Sequence, residues 1–195
     1  MESIQKILQL LLRYFGGQIM RNNLNGRFSL IVNQHLHHYN HNRYWKKRQN
    51  VLKKSCGALR RISQLYDLYY IKKSDAFNCA SFGTDLGQGA EFATPPHLPH
   101  GPNGIIVSKF AKIGSNCKIY HQVTIATKNI NGEFVSATIG DNCTLGAKCT
   151  VVGGVKIGNN VKVGANAVVT KDVPDNCTVA GVPAKIIKEM KLNDN

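Results

Sequence analysis

Aliphatic residues recur at every sixth position through the second half of this chain. Val107, Ile113, Ile119 and Ile125 keep the spacing, and Ile139, Leu145, Val151, Ile157, Val163 and Val169 resume it after an interruption. Four positions after most of these comes a small or β-branched residue: Ala111, Cys117, Val123, then Cys143, Cys149, Val155, Val161, Ala167 and Val173. Gly commonly follows the aliphatic residue, as in "IGSN", "IGDN" and "VGAN". A period of six is neither the 3.6 of a helix nor the simple alternation of a half-buried strand. It fits one short strand and one tight corner per unit. The aliphatic side chain points inward, the small residue fills the corner, and Gly or Asn supplies the unusual backbone angles. Units that stack in this way bury a continuous aliphatic column.

Three of the six cysteines, Cys117, Cys143 and Cys149, occupy the small-residue slot, which favours packed thiols over disulfides or metal ligands. No Cys-x-x-Cys pair occurs. The apolar run Ile7–Leu12 is bounded by Lys6 and Arg13 and is far too short to span a bilayer. A cytoplasmic chain with reduced thiols is the expectation.

The region Gly101–Ile187 resembles the hexapeptide-repeat acyltransferases. That resemblance implies a mainly β fold. It would be a left-handed parallel β-helix with three repeats per coil, assembled as a homotrimer or a dimer of trimers with active sites between subunits. The ending "VVTKDVPDNCTVAGVPAKIIKE" is similar to this family's tail and implies a last coil and a short C-terminal helix. The expected organisation is a basic α-helical domain over residues 1–75, the β-helix over 76–187, and a helix end or tail over 188–195. The step from Ile125 to Ile139 is fourteen where two repeats would take twelve, and Asn131-Gly132 is a turn signal. Residues 126–138 are therefore expected to leave the prism as a loop.

Acyl transfer to a hydroxyl requires a base, and histidine titrates near neutrality. His97, His100 and His121 are the candidates outside the N-terminal region. Asp85, followed fifteen residues later by His100 and then "GPNGIIV", resembles the serine acetyltransferase branch. Carried over, the resemblance makes His100 the general base and Asp85 its orienting carboxylate. It leaves His97 as a loop residue and His121 as an outward position in "IYHQVT". It also implies acetyl-CoA as co-substrate, lying along small residues at Ala147 and Ala165 with Lys171 and Lys185 near its phosphates, and no metal. Two positions depart from the branch. Pro99 stands where an Asp holds the serine amino group, and Val135 and Ser136 stand where an Arg-His pair meets its carboxylate. A changed acceptor is the expectation: a sugar or polyol hydroxyl in bacterial capsular or surface polysaccharide. Serine O-acetylation is the alternative.

Residues 1–75 hold 14 Lys/Arg against 3 Asp/Glu, so most of the net charge of +14 lies there. The expected partner is an anionic polysaccharide or its precursor at the inner face of the membrane. No nucleic-acid recognition motif is present. His35, His37, His38 and His41 lack accompanying Cys, Asp or Glu, so a polar or polyanion-binding face is favoured over a metal site. A zinc enzyme of the γ-carbonic-anhydrase type would need three convergent histidines, and the spacing of His97, His100 and His121 does not supply them. A non-catalytic scaffold that binds membrane or polymer through the basic helices is the remaining rival, and the presence of both Asp85 and His100 argues against it.

Overall fold

The computed structural model describes residues 39–54 and 57–189. The apolar run at residues 7–12, His35, His37, His38, Cys56 and residues 190–195 lie outside them.

The period of six is a three-faced parallel β-helix. The first face carries β4 (Ile106–Val107), β7 (Thr124–Ala126), β12 (Thr150–Val152) and β15 (Val168–Val169). The second carries β3 (Glu91–Phe92), β5 (Lys112–Ile113), β10 (Thr138–Ile139) and β13 (Lys156–Ile157). The third carries β6 (Lys118–Ile119), β11 (Thr144–Leu145), β14 (Lys162–Val163) and β16 (Cys177–Ala180). Ile139 pairs with Ile157, Leu145 with Val163 and Val151 with Val169, so one coil takes eighteen residues. The aliphatic positions and the small corner residues are buried along the whole axis.

Glycine and asparagine divide the corner work differently from the sequence expectation. Left-handed backbone comes from Asn116, Asn142, Asn160, Asn166 and Asn176, with φ between 56° and 58°. Gln122 and Lys148 adopt the same conformation. The Gly that follows the aliphatic residue has ordinary backbone angles. It is required because a Cβ at Gly114, Gly140, Gly146 or Gly158 would lie within 2.8 Å of backbone in the adjacent coil.

The interruption also differs from expectation. Ile113 pairs directly with Ile139, twenty-six positions on, so a single corner carries eight extra residues rather than two repeats with two. They form an antiparallel hairpin, β8 (Lys128–Ile130) and β9 (Glu133–Val135), within the expected loop 126–138. At the C-terminal end, β17 (Lys185–Glu189) is a strand antiparallel to β16, where a helix was expected. The third face would otherwise end in unpaired N–H and C=O groups, and "KIIKE" covers that edge.

Helices α1 (His41–Leu52) and α2 (Ala58–Phe77) precede the coils, so helix extends slightly past the expected boundary at residue 75. Asn40 caps α1 through its Oδ1, and Gln64 donates to the Asn50 and Lys53 carbonyls at the other end. Trp45 of α1 packs edge-on against Phe92 (4.9 Å) and Phe82 (5.5 Å), which joins the helix to the first coils. Arg48 is buried beside them and donates to Thr84 Oγ1, Phe82 O and Ala90 O. Lys47 pairs with Asp67. Of the basic run Lys46-Lys47-Arg48, only Lys46 is therefore a freely exposed charge.

Candidate active site

The edge between the third and first faces gathers the chemistry. The chain leaves the third face at His97, which bridges Lys118, and rejoins the first face at Ile106, which pairs with Thr124. His97 and Lys118 are twenty-one apart, so the corner at residues 98–105 holds three residues more than the repeat needs. Glycines and backbone hydrogen bonds shape this excursion. Gly101 and Gly104 take φ of 67° and 66°, Gly101 N donates to Leu98 O, and Gly104 N donates to Asn78 O. His100 sits on the excursion and is exposed.

One coil further on, the same corner carries His121. Its Nδ1 lies 2.7 Å from His100 Nδ1, and the ring centroids are 4.8 Å apart. Tyr120 meets the His100 ring edge-on at 5.3 Å. The edge continues below. Lys148 N donates to His121 O (3.0 Å) and Asn166 N to Ala147 O (2.9 Å), so His121, Ala147 and Ala165 are successive steps of one column. At roughly 4.8 Å per coil, Ala165 lies about 10 Å below His121. Small side chains leave the backbone of this edge open to a long, narrow ligand.

Asp85 is elsewhere. It belongs to β1 (Thr84–Asp85), which forms a hairpin with β2 (Gln88–Gly89) on the edge between the first and second faces. Its Oδ1 accepts from Leu86 N at 2.8 Å. The expected Asp85–His100 contact is therefore absent within the chain, because Asp85 lies on a different edge and serves its own turn. Lys171 lies on that same other edge, between β15 and Val173. Lys185 opens β17 and pairs with Ala180 near the foot of the histidine edge. Both lysines are exposed. His97 contributes ladder hydrogen bonds through its backbone, and its imidazole together with burial lowers the pKa of His41, burial being the larger cause.

The β8–β9 hairpin lies between β7 and β10, on the edge that also carries Asp85 and Lys171. Val135 packs toward Gly154, Ser136 Oγ donates to Ala126 O, and Phe134 stacks on Phe110 at 5.9 Å. Neither Val135 nor Ser136 presents charge. Among the described residues no three His, Cys, Asp or Glu side chains gather as metal ligands. The residue that sequence reasoning set aside is His121. The signal was there: its repeat corner is one coil from that of His100 once the three extra residues are counted.

Comparison with known proteins bears on the fold. The hexapeptide repeat of succinyl-transferase matches residues 136–171. A serine acetyltransferase of Mycobacterium tuberculosis is 36% identical over 105 residues, 54% of this chain and 45% of that protein. The structure of serine acetyltransferase from Neisseria gonorrhoeae superposes with a TM-score of 0.58 at 26% identity, over 75% of this chain and 52% of the other. Soybean serine acetyltransferase complexed with serine gives a TM-score of 0.55 at 29% identity, over 66% of this chain and 51% of the other. The chain spans about half the length of the relatives it matches. It carries the hexapeptide-repeat left-handed β-helix that these proteins share.

Proposed function

We propose that this chain is an acetyl-CoA-dependent O-acetyltransferase of the serine acetyltransferase type, with His100 as general base. The observation that carries the reading is the single edge on which His100 stands above the small-residue steps Ala147 and Ala165. An acceptor hydroxyl held at His100 gives up its proton to the imidazole and attacks the thioester carbonyl. The pantetheine arm extends down the edge past Ala147 and Ala165, and Lys185 stands near its foot. Lys171 reaches a donor only if a neighbouring subunit completes the groove, which is the role of the proposed trimer. The relatives' names favour serine as acceptor. A second reading, a sugar or polyol hydroxyl in an anionic surface polysaccharide, is favoured by Pro99, Val135 and Ser136, which offer a zwitterionic amino acid no charge.

The test is CoA release by the purified full chain with acetyl-CoA and, separately, L-serine, glucose and an acidic capsular polysaccharide. Turnover with any acceptor, reduced roughly 10²–10⁴-fold in kcat by His100→Ala with acetyl-CoA binding retained, supports the reading. Turnover that survives His100→Ala refutes it. Serine turnover alone selects the first acceptor, and turnover confined to a carbohydrate selects the second.

A further inference from the structure

A histidine base needs its second ring nitrogen held, so that the first stays bare. Asp85 cannot do this within the chain, because it lies on another edge and bonds to Leu86 N. Among the described residues the side-chain hydrogen bond of His100 goes to His121. We propose, resting on the acetyl-transfer reading above, that His121 is the positioning residue for His100 and takes the place of the orienting carboxylate.

The geometry allows two arrangements of the shared proton, and one of them frees a base on His100. Two neutral imidazoles joined Nδ1 to Nδ1 at 2.7 Å need a proton on one Nδ1 and a lone pair on the other. If the proton is on His100, its Nε2 is bare and becomes the base, while His121 carries its own proton on Nε2. This reverses the tautomer that an isolated histidine prefers in water. The surroundings hold the two rings in place. Tyr120 abuts the His100 ring edge-on. Gln122, in left-handed backbone at φ 58°, fixes the corner that carries His121, and Gln122 N donates to Asn103 O of the His100 corner. Gly104 leaves room for the Gln122 side chain, which a Cβ there would approach to 2.8 Å.

In the reaction the acceptor O–H proton moves to His100 Nε2 as the oxygen bonds to the acetyl carbon. The imidazolium keeps its Nδ1–H on His121 Nδ1. When the C–S bond breaks, the Nε2 proton passes to the CoA sulfur, giving the acetyl ester and free CoA thiol. His121 gains and loses no proton, and it brings no counter-charge. Its contribution is orientation and tautomer.

The test is long-range ¹H–¹⁵N correlation on the full chain labelled with ¹⁵N-histidine, assigned from His100→Ala and His121→Ala, with the same proteins assayed for acetyl-CoA turnover. The wild type is expected to show His100 protonated at Nδ1. His121→Ala should return His100 toward the Nε2–H form and lower kcat by up to about 10⁴-fold, the loss associated with a wrong tautomer, with the KM for acetyl-CoA little changed. His121→Gln, whose amide oxygen can accept from Nδ1–H, should restore the tautomer and part of kcat. A His100 tautomer that is the same in wild type and His121→Ala overturns the proposal, even if turnover is robust and the acetyl-transfer reading stands. A tautomer shift in a chain that turns over no acceptor keeps the pairing and overturns the acetyl-transfer reading instead.

Discussion

Replacing Gly146 with alanine tests whether the glycine in each repeat is there for spacing or for backbone freedom. Gly146 sits directly after Leu145 on the edge that carries His121 and Ala147, and its φ is outside the left-handed range. A Cβ at this position would lie 2.7 Å from Ala165 N, 2.7 Å from Val163 O and 2.8 Å from Gly164 C. Ordinary contacts begin at 3.4 Å, so the next coil must yield by about 0.7 Å. All three atoms are backbone in a hydrogen-bonded ladder, where Gly146 N donates to Val163 O. Overpacking of this kind costs roughly 1–3 kcal/mol. For a chain of this size that lowers Tm by about 2–12 °C. Gly154→Ala is the internal control. Its φ is also ordinary, but its Cβ would meet only the Val135 side chain, at 3.3 Å and 3.4 Å. It should move Tm by less than about 2 °C, within the ±0.5 kcal/mol of a tolerated surface change. Differential scanning calorimetry reads both, and isothermal calorimetry with acetyl-CoA should show weaker binding for Gly146→Ala than for Gly154→Ala. If Gly146→Ala melts with the wild type, the coil is not held at its spacing by these glycines, and the reasoning fails.

Other expectations follow from the same structure. Burial pushes the Cys149 thiol up to about 12, and Cys117 and Cys143 are buried with it, so all three should resist a thiol reagent until denaturant is added; rapid labelling in the folded protein would contradict the packing. Arg48→Ala should cost roughly 2–5 kcal/mol in denaturant unfolding, because the Phe82 and Ala90 carbonyls lose their donor, whereas Lys46→Glu should stay within about 0.5 kcal/mol. Burial raises the Asp75 carboxyl from 3.8 to about 6, partly opposed by the hydrogen bond from Tyr44. The folded state therefore binds the proton more tightly than the unfolded one. Stability should rise as pH falls from about 6 to 4, by up to about 3 kcal/mol from this group, and Asp75→Asn should flatten that rise in pH-dependent denaturation.

How far the site could be read from the sequence depended on the kind of information involved. The inward column and the buried thiols were legible because each is a local pattern of residue types. Asparagine at left-handed corners was legible for the same reason. Arg48 was not, since a basic run looks the same whether its charges face water or bond to carbonyls. The C-terminal "KIIKE", expected as a helix, carries no local signal for the strand it forms, because that strand is set by the bare edge of β16.

What the sequence by itself determined is the repeat of six and the side chains that point inward; eighteen residues per coil was implied by the resemblance and is fixed by the strand pairing. What only the tertiary structure decided is which outward side chains share an edge. That depends on how many residues are spent at each corner. Four extra residues between Ser81 and Glu91 carry Asp85 off on its own hairpin. Three extra at residues 98–105 set His100 over residue 121 rather than 118, and eight at the β8–β9 corner bring Ala147 beneath His121. A period is a property of neighbours along the chain. The alignment of successive coils is fixed by interstrand hydrogen bonds between residues about twenty positions apart, and those bonds exist only once the coils have stacked.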